Sequence, residues 1–260
     1  ARYRYRTLKI FIHFFFPQLL RNLFLSNRLI NMVPIINIFL TFVLIGISPL
    51  AFGEKPILSK EIEGSGWPRH RGDSGLKGLS FGKIGTSLKL DWQFKTGEYL
   101  KSSVVISNGI AFVGADTGTV FALSIKDGKE VWKFDTTLGI DAPPLAHNGK
   151  VYVGSTDGFL YALNATDGKL VWKYETGGEI MGAPNEAIRP KSKDSVLVVG
   201  SYDNFVHCVN AKSGKVVWTF ETQNYVNGVP TIYDEKYVVF GGCDSVLYVV
   251  GLEDGKLIRS

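Results

Sequence analysis

One stretch of the sequence decides the fold, and it reads VYVGSTDGFLYALNATDGKLVW over residues 151–172. Its apolar runs are separated by Asp157-Gly158 and Asp167-Gly168, and a further apolar run lies upstream at residues 142–146, before Asn148-Gly149. Asn-Gly and Asp-Gly between apolar runs are strong hairpin signals, because the tightest turns need a positive φ at their central positions. The pattern therefore predicts a unit of four short antiparallel strands.

The unit recurs along the chain with a period of about forty residues. Trp92, Trp132 and Trp172 are forty residues apart, and Trp218 follows after forty-six. A fixed period with turn signals indicates a stacked array, and four antiparallel strands per forty residues are typical of one propeller blade. We predict an all-β protein over residues 92–260, a β-propeller with about four blades and an incomplete ring.

Two local details follow from the same alignment of repeats. A further hairpin is predicted at Asn108-Gly109, equivalent to Asn148-Gly149. The six additional residues of the third repeat predict an exposed loop around residues 188–194, between the first two strands of its blade.

The third run of each repeat is apolar on both of its faces. One face carries Val120, Leu160, Val206 and Leu247, and the other carries Phe121, Tyr161, His207 and Tyr248. A sheet with one wet face alternates polar and apolar residues, so each blade is expected to be covered on both sides. His207 occupies an aromatic position, and we interpret it as a packed core histidine rather than a ligand.

The basic character of the chain comes from its N-terminus. The formal net charge is +5, but six bases precede the first acid, Glu54, and residues 54–260 carry 23 Lys and Arg against 24 Asp and Glu. Nucleic-acid binding needs a basic stripe on the folded domain. We therefore expect no nucleic-acid partner.

The N-terminal region has the pattern of an export signal. Residues 33–52 are almost entirely apolar, follow a basic region and end in a small-x-small motif. Residues 32–53 are predicted to be a signal peptide or, alternatively, an uncleaved membrane anchor. Either segment contacts the membrane during export, and the upstream bases place the repeats outside the cytoplasm.

The remaining boundaries follow from these two regions. Met32 is a plausible start, so residues 1–31 are interpreted as an upstream, non-globular segment. Residues 54–91 form a lead-in to the repeats. The sequence stops inside a motif at Ser260, and we interpret the chain as part of a longer protein.

The run from Ala162 to Trp172 resembles the tryptophan-docking motif of the pyrroloquinoline-quinone-like (PQQ-like) β-propeller repeats. In this motif a small residue, a turn glycine and a tryptophan recur at fixed offsets. The other copies match at Ala122, Gly128 and Trp132, and at Cys208, Gly214 and Trp218. The fourth copy departs from the motif, with Val249 for the small residue and Arg259 for the tryptophan. The lead-in sequence GWPRHRGD at residues 66–73 resembles the opening segment of exported bacterial members.

In this family the motif tryptophan packs against the adjacent blade and does not bind a ligand. The resemblance therefore implies a structural role for Trp92, Trp132, Trp172 and Trp218. It also implies seven or eight blades in a complete ring. We expect Trp132 and Trp172 to be largely buried, and Trp218 to be partly exposed because the following blade is incomplete.

Three functions are compatible with the repeats. The favoured one is a non-catalytic scaffold of the bacterial envelope, similar in architecture to the outer-membrane assembly propeller, with a protein or an envelope polymer as partner. The alternatives are the N-terminal part of a quinoprotein dehydrogenase and the extracytoplasmic sensor domain of a membrane receptor. Dehydrogenases of this family carry adjacent cysteines and calcium ligands, whereas Cys208 and Cys243 are 35 residues apart. We therefore expect no catalytic residue, cofactor or metal.

The internal comparison also indicates a binding rim. Nine residues after each tryptophan, the chain has Lys101, Asp141, Met181 and Asn227, while the residue before each is always apolar. Binding residues tend to lie on loops held by a rigid frame. These four residues are the candidate binding rim.

Overall fold

The computed structural model describes residues 66–80 and 87–260. The predictions for residues 1–31 and 32–53, and for the first part of the lead-in, lie outside these residues. Within them, the regular elements are sixteen β-strands arranged as four separate four-stranded antiparallel sheets. Each sheet is a simple meander in chain order, and we call the sheets blades 1 to 4.

The strands have the following bounds. Blade 1 contains β1 (Val105–Ser107), β2 (Ile110–Gly114), β3 (Thr119–Ser124) and β4 (Glu130–Asp135). Blade 2 contains β5 (Leu145–His147), β6 (Lys150–Gly154), β7 (Phe159–Asn164) and β8 (Leu170–Glu175). Blade 3 contains β9 (Asn185–Ile188), β10 (Ser195–Gly200), β11 (Phe205–Asn210) and β12 (Val216–Glu221). Blade 4 contains β13 (Thr231–Tyr233), β14 (Tyr237–Gly241), β15 (Leu247–Gly251) and β16 (Leu257–Arg259).

The first strands of the blades lie side by side in the order β1, β5, β9, β13. They form the inner edge of an open arc, and the fourth strands form its outer edge. The predicted all-β architecture, with four antiparallel blades and an incomplete ring, is confirmed.

The predicted turns are present, but they are of two kinds. Asn108-Gly109 and Asn148-Gly149 have positive φ at both central residues, 49° and 77° and then 47° and 71°, as two-residue primed turns require. Asp157-Gly158 and Asp167-Gly168 lie instead in longer loops in which only the glycine has a positive φ. There the aspartate accepts a bond from the amide two residues on, for example from Phe159 at 3.0 Å. The expected insertion joins β9 to β10 through residues 189–194.

The core lies between the blades. In β3, Val120, Phe121, Ala122 and Leu123 are all at most 6% exposed, so this strand is covered on both faces as expected. In β15, Leu247 is 63% exposed while Tyr248 is 7% exposed. The expectation of two covered faces therefore does not hold for blade 4, because no described residue packs over its outer face.

Each tryptophan of the motif reaches the following blade in the same way. The indole nitrogens donate to backbone oxygens 2.9 to 3.3 Å away, namely those of Ile125, Ala165, Ala211 and Leu252. The indole ring also packs on the turn glycine of that following blade. For example, a Cβ added at Gly168 of blade 2 would be 2.7 Å from the ring of Trp132 in blade 1. Only glycine fits this contact, and the φ of +72° at Gly168 also favours it.

Burial of the tryptophans differs from the expectation at two positions. Trp132 is 7% exposed, as predicted, but Trp172 is half-buried. The prediction that Trp218 is partly exposed is wrong, since it is 8% exposed. The turn that holds Leu252 and Gly255 already covers its ring, and the missing motif residues of blade 4 are not needed for that contact.

Candidate binding surface

The four candidate rim residues lie in equivalent loops, each of which leads into the first strand of a blade. We call these the rim loops, residues 96–104, 136–144, 176–184 and 222–230. Lys101 Nζ lies 3.4 Å from Asp141 Oδ2. The hydroxyl of Ser102 donates to the carbonyl of Ala142 at 3.0 Å, so the first two rim loops are in direct contact.

The other two rim residues are also neighbours. A Cβ added at Gly182, next to Met181, would lie 2.5 Å from the carbonyl oxygen of Gly228 and 3.0 Å from that of Asn227. Met181 is half-buried and Asn227 is exposed. The structure thus brings the candidate rim residues together as two adjacent pairs.

The rim loops rest on a frame that repeats from blade to blade. In each blade the loop between the second and third strands donates a backbone amide to the rim loop, from Asp116, Thr156, Tyr202 and Cys243, over 2.8 to 3.0 Å. The rim loops also insert a fully buried side chain at Ile140, Ile180 and Val226. These contacts fix the loop backbones, while the side chains at their tips differ.

In blades 2, 3 and 4 an aspartate ties the blade to the rim loop that precedes it in the chain. The carboxylates of Asp157, Asp203 and Asp244 accept the amides of Thr137, Gly177 and Gln223 at 2.8 to 3.1 Å. They also accept the Tyr161 and Tyr248 hydroxyls at 2.7 and 2.6 Å, and His207 Nε2 lies 2.9 Å from Asp203 Oδ2.

The histidine in this series belongs to the core, as predicted. His207 is 5% exposed, and its Nδ1 lies 3.0 Å from the Tyr174 hydroxyl. Burial by itself raises the pKa of Asp203, but the bonds from His207, Gly177 and Phe205 lower it to about 2. Asp203 is therefore ionised at neutral pH.

The two faces of the arc differ in charge, which the repeat comparison did not predict. The rim face comprises the rim loops and the loops between second and third strands, and it carries one base, Lys101. Its acids are Glu98, Asp116, Asp141, Asp157, Glu179, Asp203 and Asp244. The opposite face, in loops 125–129, 165–169, 189–194, 211–215, 234–236 and 252–256, carries ten bases and seven acids.

The lead-in lies against the inner strands, in a way that its sequence did not reveal. Trp67 forms an antiparallel bridge with Ile106, with N–O distances of 2.8 and 2.9 Å. The carbonyl of Pro68 accepts the Ala146 amide at 2.7 Å, and that of Ser74 accepts the Ile232 amide at 3.0 Å. Ile106, Ala146 and Ile232 occupy the same repeat position, so one short segment binds the same backbone group in three blades.

The lead-in reaches the remaining blade through side chains. Arg69 donates to Glu186 Oε2, to the Glu186 carbonyl and to Asn185 Oδ1, each at 3.2 Å. Asn185 Nδ2 in turn donates to the Ser74 carbonyl at 2.8 Å, and His147 Nε2 lies 3.4 Å from Glu186 Oε1. We call residues 66–75 the strap, because they contact the innermost strand of all four blades.

Residues 66–80 and 87–260 contain no group of three or more His, Cys, Asp or Glu side chains arranged to hold a metal ion. Cys208 is buried, Cys243 is exposed, and both thiols are free. In the same residues there is no helix with the length and apolarity needed to cross a bilayer.

These features define a class of protein. Four-stranded antiparallel blades, with a tryptophan of one unit seated on the turn glycine of the next, make this chain a PQQ-like β-propeller repeat protein. Residues 88–191 and 181–258 match the family described as outer membrane protein assembly factor BamB, and the chain belongs to that family.

Solved structures agree on the fold. BamB from Moraxella catarrhalis is similar with a TM-score of 0.56 and 22% identity over 65% of this chain and 54% of that one. The computationally designed protein Ika8 has a TM-score of 0.52 and 22% identity, over 60% and 47%. Quinohemoprotein alcohol dehydrogenase from Comamonas testosteroni has a TM-score of 0.61 and 19% identity, over 75% and 40%.

The chain thus spans about half the length of the BamB structure that it matches. Among curated protein sequences none matches it significantly.

Proposed function

We propose that this protein is an exported, non-catalytic scaffold of the bacterial envelope that binds a protein partner through its rim face. The observation that carries the proposal is the combination of a repeated, hydrogen-bonded frame with different side chains at the loop tips Lys101, Asp141, Met181 and Asn227. A rigid frame with varied tips is typical of binding surfaces built on repeat folds.

The strap supports a binding role over a catalytic one. It occupies the inner edge of the arc with the protein's own backbone, and Arg69 and Glu186 fill this edge with a satisfied ion pair. Membership of the BamB family supports an envelope location and a protein partner. Export through residues 32–53 is part of the proposal.

One observation favours a second candidate, the N-terminal part of a quinoprotein dehydrogenase. The quinohemoprotein alcohol dehydrogenase is similar in fold at a TM-score of 0.61. Fold likeness alone does not carry an activity. Dye-linked dehydrogenase assays with added quinone and calcium test this candidate. We expect no turnover, and turnover that is lost on removing calcium would restore it.

The scaffold proposal is tested by photo-cross-linking in cells that produce the full-length protein. A photoreactive residue is placed at Met181 or Asn227 on the rim face, and at Lys212 or Lys256 on the opposite face as a matched control. We expect discrete cross-linked envelope proteins from the rim positions only. Equal cross-linking from both faces, or none from the rim, contradicts the proposal.

A further inference from the structure

The rim face contains one aromatic pair at a junction between blades. At each junction the loop between the second and third strands of one blade meets the rim loop of the next. A Cβ added at Gly139 would lie 2.5 Å from the carbonyl oxygen of Asp116, which shows how close this approach is at the first junction. The equivalent positions at the third junction are Tyr202 and Tyr225, whose rings are stacked with centroids 4.7 Å apart and planes within 5°.

The pair is held in place by its backbone and remains open to solvent. The Tyr202 amide donates to the Glu179 carbonyl at 2.9 Å, and the Tyr225 carbonyl accepts the Cys243 amide at 2.8 Å. Tyr225 is nevertheless 47% exposed. The stack is therefore a preorganised platform with an accessible aromatic ring, and its exposure makes a purely structural role a poor explanation.

The charges next to the platform have one sign. Glu179 has an exposed side chain that forms no ion pair within residues 66–80 and 87–260. Asp203 and Asp244 follow in the two adjacent loops, and the bonds to Asp244 from the Tyr248 hydroxyl and from the Val246 and Gln223 amides lower the pKa of its carboxyl. Lys101, the base of the rim face, is paired with Asp141 between blades 1 and 2.

We propose that the Tyr202–Tyr225 platform binds an arginine side chain of an extended segment in the protein partner. A guanidinium group is planar, stacks on aromatic faces and can donate at its edge to a carboxylate such as that of Glu179. The acidic rim supplies charge complementarity, which favours a basic partner segment over a neutral one. This inference rests on the proposed scaffold function and names the chemistry that the rim face selects.

The test uses the full-length protein and a fluorescent synthetic peptide of alternating arginine and serine. The same peptide with citrulline in place of arginine keeps the shape and removes the charge. We expect the arginine peptide to bind at least about tenfold more tightly than the citrulline peptide, with binding that weakens as salt rises.

Variants locate the binding on the platform. Tyr225→Ala is expected to weaken binding about fivefold, the equivalent of an exposed cation–π contact, while Tyr225→Phe retains it. Glu179→Gln is expected to weaken binding by a smaller factor. Tyr233→Ala is the matched control, because Tyr233 is 64% exposed and stacks on Tyr237 at 6.5 Å on the opposite face. The control is expected to bind as the wild type does.

Three outcomes overturn the inference. The first is unchanged binding of the arginine peptide by Tyr225→Ala, and the second is equal binding of the citrulline peptide. The third is preferential binding of neutral oligosaccharides in the same titration, which would assign the platform to a glycan. If the rim positions cross-link a partner in cells but the arginine peptide does not bind, this inference fails and the scaffold proposal stands. If the rim positions do not cross-link either, both fail.

Discussion

Replacing Arg69 by methionine tests the contact between the strap and blade 3. The substitution keeps most of the apolar stem and removes the guanidinium group. Arg69 makes three bonds of 3.2 Å to Glu186 and Asn185, and the side chains of Arg69 and Glu186 are only 13% and 9% exposed. The variant therefore leaves a carboxylate largely buried without its main cationic partner.

The expected cost is about 3 kcal/mol in the free energy of unfolding. Removing one partner of a buried ion pair typically costs about 3 to 5 kcal/mol. We expect the lower end, because Ser195 and His147 still contact the other carboxylate oxygen, at 3.1 and 3.4 Å.

Lys77→Met is the matched control in the same lead-in. Lys77 pairs with Asp73 at 3.7 Å, and both side chains are well exposed. An exposed pair of this kind contributes less than about 1 kcal/mol. Each variant thus removes one positive charge, and the two differ in how deeply the partner carboxylate is buried.

Urea denaturation followed by tryptophan fluorescence measures both variants, with the midpoint and the slope compared separately. A double-mutant cycle with Glu186→Gln isolates the pair. We expect a coupling of about 1 to 3 kcal/mol, because the double variant no longer buries an unpaired charge. If Arg69→Met and Lys77→Met cost the same, or if the cycle gives no coupling, the strap does not stabilise blade 3 through this pair.

Three further predictions follow from the blades and the thiols. Trp132→Ala is expected to cost about 3 to 5 kcal/mol in the same denaturation assay, since it empties a large buried aromatic site, and a cost below about 1 kcal/mol would refute the docking role. Because the pKa of Asp203 in the folded protein is about 2, below the ordinary value of 3.8 for an aspartate, its contribution to stability is present at neutral pH and is lost as pH falls from about 4 to 2. The cost of Asp203→Asn should therefore be largest at pH 7 and should shrink over that window, whereas a pH-independent cost would show that the bonds to His207 do not depend on the charge. A membrane-impermeant maleimide should label only Cys243, because the Cys208 thiol is buried and burial raises its pKa to about 12. Labelling that Cys243→Ser fails to abolish would contradict the burial of Cys208, and absence of labelling of the wild type in intact cells would contradict the exposure of Cys243 or the export.

The sequence by itself determined the architecture. The forty-residue period, the Asn-Gly and Asp-Gly pairs and the doubly apolar third strands are local signals, and each reports a backbone requirement that neighbouring residues satisfy. The hairpin at Asn148-Gly149 and the inserted loop at residues 189–194 could be predicted for this reason. The positions of Lys101 and Asp141 on equivalent rim loops were also predictable, because they are fixed by the repeat.

Only the tertiary structure decided what lies across the repeats. The strap joins residues more than a hundred positions apart, such as Arg69 and Glu186, and no periodic signal marks such a contact. The acidic rim face was hidden because acids and bases nearly balance within the repeats and are separated only when alternate loops fold to opposite faces. The stacking of Tyr202 on Tyr225 depends in the same way on two blades meeting. Turn chemistry is local and can be read in the sequence, whereas the surface that selects a partner is produced by the packing of distant segments.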